Sequence, residues 1–141
     1  MKKKTIAICV VIVGIVLGLL FKDCFIRTYV SVCNDKLESY ATKMLEKDER
    51  TSDKYGVWKT VSSPEEGLVE FWTGGFGLAP SSTYKGFYYS ADDKHKPFSV
   101  ANKDAVSMEI DGDSATWTDG TDNNGISNRI IENWFWFEAS F

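Results

Sequence analysis

The sequence predicts an α+β protein: an N-terminal transmembrane helix continuing into an amphipathic helix, then a small antiparallel β-sheet domain. Three observations carry this. Residues 5–21 hold no charge. Residues 26–47 repeat apolar positions at helical spacing. Residues 55–141 hold 16 of the 20 aromatics and all five tryptophans, set among Gly, Thr and Ser, the vocabulary of strands and turns.

The uncharged stretch lies between Lys4 and Lys22 and contains no proline. In hydrocarbon every backbone N–H and C=O must pair within the segment, so a single span is helical. Seventeen residues at about 1.5 Å each reach roughly 25 Å, slightly short of a core of about 30 Å. Lys4 and Lys22 can snorkel, and Phe25 and Ile26 extend the apolar surface. The rival reading is a cleaved signal peptide, which needs small residues at its cut. Lys22-Asp23-Cys24-Phe25-Ile26-Arg27 offers none, so a retained anchor is expected. Gly14 and Gly18 have the spacing that lets two membrane helices approach closely; two glycines in a Val/Ile-rich helix is the plainer account. Lys2, Lys3 and Lys4 set residues 1–4 as a cytoplasmic tail and the rest outside.

Four of the 16 Lys and Arg lie at or before Lys22, and all 20 Asp and Glu follow it. The exported part therefore has 12 basic against 20 acidic residues, a balance of −8. That argues against a nucleic-acid partner and against adhesion to anionic lipid or acidic wall polymer. Cys24 and Cys33 are nine residues apart, about 13 Å along a helix. A disulfide needs Cα atoms within about 7 Å, so they do not pair while that helix is intact. Pairing between molecules through either cysteine stays open.

Ile26, Val30, Cys33, Leu37, Tyr40 and Met44 follow steps of 4, 3, 4, 3, 4, a heptad seam. Residues 22–50 therefore read as a helical stalk, whose stripe packs on the chain's own β domain or on a second copy in a parallel dimer. Thr51-Ser52-Asp53 breaks the helical pattern. Residues 57–61 read as a first strand. Ser63-Pro64-Glu65-Glu66 has the signature of a helix start, but Gly67 interrupts it and residues 69–73 suit a strand. Gly74-Gly75-Phe76-Gly77 and Pro80-Ser81-Ser82 read as a loop, and residues 84–90 as a strand ended by Ala91-Asp92-Asp93-Lys94. Asp111-Gly112 fits a type I′ hairpin pairing Ile110 with Asp113, Met108 with Ala115 and Val106 with Trp117. Those residues share a core face, and Ser107, Glu109, Ser114 and Thr116 share a wet one. A turn at Glu132-Asn133 leads to Trp134–Glu138, aromatic on both faces: a central strand covered on both sides, or one exposing a binding face.

No nucleophile–base pair stands out. His95, the one histidine, lies in a charged turn and is expected in solvent. Gly74-Gly75-Phe76-Gly77 lacks the Lys and following helix of a phosphate loop. The oxygen-rich run 119–125 misses the EF-hand pattern and reads as a hydrogen-bonded turn. No cofactor fingerprint and no metal-ligating set is present. Tyr88, Trp117, Trp134 and Trp136 are candidates for a platform that stacks sugar rings, such as a wall glycan. Against this, a cysteine-free domain of this size fills its core with large side chains.

Tyr84-x-Gly86-Phe87-Tyr88-Tyr89-Ser90-x-Asp92-Asp93 and Asn133-Trp134-Phe135-Trp136-Phe137-Glu138-x-x-Phe141 carry a resemblance over about the last seventy residues. They resemble small exported or membrane-anchored proteins of Gram-positive bacteria, a group with no assigned activity. The resemblance implies a bacterial surface setting and no site residues. The expected function is a membrane-tethered, extracytoplasmic, non-catalytic binding or accessory domain. Its partners would be lipid along residues 5–21 and a membrane protein, a second copy or a wall glycan. The alternative is an extracytoplasmic hydrolase whose carboxylates meet only in the fold.

Overall fold

The computed structural model describes residues 8, 10–14, 18, 21–78, 81–97 and 105–141. Among the described residues from Lys22 onward, two helices, α1 (Lys22–Val32) and α2 (Asn34–Leu45), precede eight strands. These are β1 (Thr51–Tyr55), β2 (Trp58–Ser63), β3 (Leu68–Leu78), β4 (Ser81–Ser90), β5 (Ser107–Asp111), β6 (Ser114–Thr118), β7 (Asn124–Ile131) and β8 (Trp134–Ser140). All pairings are antiparallel, in the order β1-β2-β3-β4-β8-β7-β6-β5. Two four-stranded meanders thus join where β8 returns to pair with β4.

The heptad seam packs on the chain's own sheet. Ile26, Val30, Leu37, Ala41 and Met44 are buried with Val69, Phe71, Phe87, Tyr89, Trp134 and Trp136, while Cys33 and Tyr40 pack at the margin. Residues 22–50 therefore do not stand as a free stalk. The helix breaks at Cys33, where Asn34 and Asp35 restart it with an acidic residue in the first turn. Cys24 and Cys33 are both free thiols.

Tyrosine hydroxyls and rings tie the helices down. Tyr40 Oη lies 2.8 Å from Thr60 Oγ1, and Tyr89 donates to Glu38 at 3.4 Å. The opposite face holds a second core of Leu68, Tyr88, Trp117, Phe135, Phe137 and Ala139. Strand alternation explains the division: Trp134 and Trp136 of β8 face the helices, and Phe135 and Phe137 face away. β8 is thus a central strand covered on both sides. At Gly86 the packing leaves no room for a side chain: a Cβ would meet the Phe71 carbonyl oxygen and sit 2.9 Å from the Phe137 ring.

Several expectations need correction. Thr51-Ser52-Asp53 opens the edge strand β1, so the sheet begins before residue 55. Pro64–Glu66 is a single 3₁₀ turn ending at Gly67 with φ 61°, and the strand reading of 69–73 holds within β3. Gly74-Gly75-Phe76-Gly77 is strand, paired through Phe76 with Thr83; glycine's weak strand preference is overridden by the β4 ladder. Pro80 lies outside the described residues.

The β5–β6 hairpin closes one residue later than expected, with Asp111 opposite Ser114, so each residue's partner moves by two and Met108 lies opposite Trp117. Gly112 alone of the two central residues has positive φ, 59°, the pattern of a type II′ turn, which takes Gly first. A slip of two residues preserves the faces, so Ala115 and Trp117 are still buried and Glu109 exposed. Ile110, however, is 64% exposed at the sheet edge. The turn at Glu132-Asn133 is as expected, with Asn133 at φ 65°.

Most of the expected span 5–21, the tail 1–4 and Cys9 fall outside the described residues. Of the span, residues 8, 10–14 and 18 are helical. No described helix is long and apolar enough to cross a membrane.

Candidate functional site

The four aromatics predicted to form a platform do not meet. Trp134 and Trp136 belong to the core under the helices, whereas Tyr88 and Trp117 belong to the core on the opposite face. All four are buried; the most open, Trp136, is 8% exposed. The cause is position in the sheet. Tyr88, Trp134 and Trp136 lie on β4 and β8, the two central strands, so each of their rings is covered on the face that alternation gives it, and Trp117, on β6, packs against Phe141 with ring centroids 6.2 Å apart.

On the second face, a polar latch closes over Phe135. After β4, Ser90 donates its hydroxyl to Asp92 at 2.9 Å, and Asp93 adopts φ 55°. The Asp93 carboxylate accepts the Asn133 N–H at 2.6 Å and pairs with the Arg129 guanidinium. These two contacts hold its carboxyl below the usual carboxylate range. The turn carries His95 onto Phe135, ring centroids 4.7 Å apart, with Nδ1 2.7 Å from Ser127 Oγ. The Lys96 N–H donates to the Tyr88 hydroxyl at 3.2 Å.

His95 is therefore not a solvated loop residue: it is 9% exposed. Burial, then the Arg129 charge, lowers its pKa. Burial raises Tyr88 to about 12. Ser127 is fully buried, and the contact fastens the turn to the sheet. The sequence shows His95 among charges and does not show that the turn folds back across β8.

Glu70 is a buried carboxylate that sequence reasoning missed. It is 1% exposed and accepts the Trp72 indole N–H at 2.8 Å. Burial pushes its pKa up to about 7, against the pull of that hydrogen bond. Alternation with Leu68 on β3 was the available signal: a charge at a core-facing position.

Where β3 and β4 project furthest, Trp72, Gly74, Gly75, Phe76, Gly77, Ser82 and Tyr84 line a shallow groove of about 330 Å³. The Trp72 and Tyr84 rings meet edge-on at 4.7 Å, and Lys59 Nζ lies 5.7 Å from the Trp72 ring centre. Phe76 is 86% exposed.

Of the run 119–125, residues 119–123 form a turn closed on itself, and Asn124 and Gly125 already pair in β7. Asp119 accepts the Thr121 hydroxyl at 2.5 Å and the Asn123 amide at 2.8 Å. Among the described residues no group of three His, Cys, Asp or Glu side chains is placed to hold a metal ion. Comparison of the chain with protein-family models, with curated proteins and with solved structures returns no match in any of the three.

Proposed function

We propose that the chain is a membrane-tethered, extracytoplasmic, non-catalytic binding or accessory domain at a bacterial surface. One observation carries the tether. Ile8, Val10, Val11, Ile12 and Val13 are helical and 54–65% exposed, an apolar helix surface that the described residues of the domain leave uncovered. A Val or Ile side chain gains roughly 1.5–3 kcal/mol when it leaves water completely. Lipid supplies that burial, and Lys2–Lys4 orient the helix with its start inside. The non-catalytic reading draws support from the sealing of the two groups best suited to chemistry, the His95–Ser127 pair and Glu70. The burial of Tyr88, Trp117, Trp134 and Trp136 removes glycan stacking on those rings.

Reporter fusions after Phe141 test the topology. An export-dependent phosphatase there is active, and a reporter that works only in the cytoplasm is silent. The reverse pattern overturns the orientation, and release of a soluble form starting near Cys24 overturns the retained anchor. Crosslinking of the full-length protein in its membrane captures a specific protein partner. Turnover of a wall fragment that depends on a single Asp or Glu overturns the non-catalytic reading.

A further inference from the structure

The strand ladder leaves one end of the sheet different from the rest. β2 stops pairing with β3 at Lys59–Trp72, while β3 runs on to Leu78 against β4 alone. From Phe71 to Tyr84 the chain has fourteen residues without a charge, bounded by Glu70 and Lys85, in a region whose balance is −8. The sheet's outer strands are built the other way: β1 exposes Asp53 and Lys54, and β5 exposes Glu109 and Asp111, the charges that keep strand edges in water. The uncharged β3–β4 end instead exposes Phe76.

The helices point to this same end. Followed back towards the N-terminus, their side-chain contacts move along the strand direction towards that end. Glu38 accepts from Tyr89. Arg27 lies over Trp136, which pairs with Phe87. Lys85 Nζ lies 5.9 Å from the centre of the same Trp136 ring. Phe76 is opposite Thr83, two residues past Lys85 and so about 7 Å further in that direction. The apolar N-terminal helix and the uncharged hairpin therefore leave the sheet at one end.

We infer that the β3–β4 hairpin is a second membrane contact, seated in the headgroup and acyl boundary of the bilayer that holds the N-terminal helix. The inference rests on the tether proposed above. Phe76 supplies the exposed apolar side chain. Trp72 and Tyr84 lie at the hairpin's base, the ring types that favour the membrane–water interface. Lys59, over Trp72, stands at the level of lipid phosphates. The outer backbone of 74–78, without a ladder partner among the described residues, sets the depth: its N–H and C=O groups need water or headgroups, so the edge stays out of hydrocarbon. The tether and the hairpin together fix the domain's orientation on the membrane, with the latch side of the sheet away from it.

The test uses the full chain in lipid nanodiscs of phosphatidylglycerol and phosphatidylcholine. Cys9, Cys24 and Cys33 are replaced by Ala, and single cysteines at Phe76→Cys, Ile110→Cys or Val11→Cys carry an environment-sensitive fluorophore. Circular dichroism confirms that each variant keeps the fold. Position 76 is expected to shift to the blue and to be quenched by shallow nitroxide lipids at least threefold more than position 110. Position 110 is quenched by aqueous iodide. Lipid quenching at 11 with iodide quenching at 76 overturns the hairpin contact and leaves the tether standing. Iodide quenching at both 11 and 76 overturns both. A blue shift at 76 that disappears when the protein is diluted in lipid assigns the edge to a second copy and also overturns the inference.

Discussion

Trp72 donates its indole N–H to the carboxylate of Glu70, two residues earlier on the same strand and face, at 2.8 Å. A buried carboxylate with one donor is better off neutral, which is why burial raises Glu70 to about 7. Above that value the fold holds a charge with little compensation.

The first prediction follows from the sign of that shift. Glu70 binds its proton more tightly in the folded chain than in the unfolded one. Its contribution to stability is therefore greatest at low pH, and it is lost as pH rises from the unfolded value of 4.5 to about 7. Glu70→Gln keeps an acceptor for Trp72 and removes the titration. At pH 8 the variant is expected to be more stable by on the order of 3 kcal/mol. Near pH 4.5 the two proteins converge. Denaturant unfolding across this range measures the difference curve, and a parallel pair of curves refutes the assignment.

His95 has the opposite sign. Its folded pKa lies below the unfolded value of 6.5, so its contribution is present above that pH and is lost as pH falls through the folded value. His95→Phe keeps a ring on Phe135 and removes the titration and the Ser127 contact. At pH 8 the variant is expected to lose about 1–3 kcal/mol, because Ser127 and its neighbours are left with one partner fewer. The gap from the parent narrows as pH falls below about 6.5. Since Glu70 and His95 slope in opposite directions, each is read as variant minus parent. A gap that stays constant with pH would place His95 in solvent.

A third prediction tests the face assignment of β5. Met108 is half-buried against the Trp117 core, and Glu109 is exposed. Met108→Asp sets an unpaired charge against that core and is expected to cost about 2–4 kcal/mol. Glu109→Ala is expected within about 0.5 kcal/mol of the parent. Thermal unfolding monitored by tryptophan fluorescence compares them, and equal tolerance of both would show the strand facing the other way.

The sequence by itself determined which positions face a core. Ile26, Val30, Leu37 and Met44 share a helix stripe at any tertiary arrangement, because the 3.6-residue period is local. Met108, Ala115 and Trp117 share a strand face for the same reason, and even a two-residue error in the hairpin register leaves that intact. Trp134–Phe137 alternate, so a central strand was legible as well.

What only the tertiary structure decided is what each face meets. Thr51–Tyr55 is a strand because β2 offers it a ladder, although Ser52, Asp53 and Lys54 have little intrinsic preference for one. Gly74-Gly75-Phe76-Gly77 is a strand because β4 continues opposite it. His95 and Glu70 are buried because a turn from β4 folds across β8 and because β3 is an inner strand. Those contacts join residues 32 and 18 positions apart, His95 with Ser127 and Glu70 with its ladder partner Tyr88. Local periodicity carries no information about such partners, since burial and pKa depend on the long-range neighbours that desolvate a group.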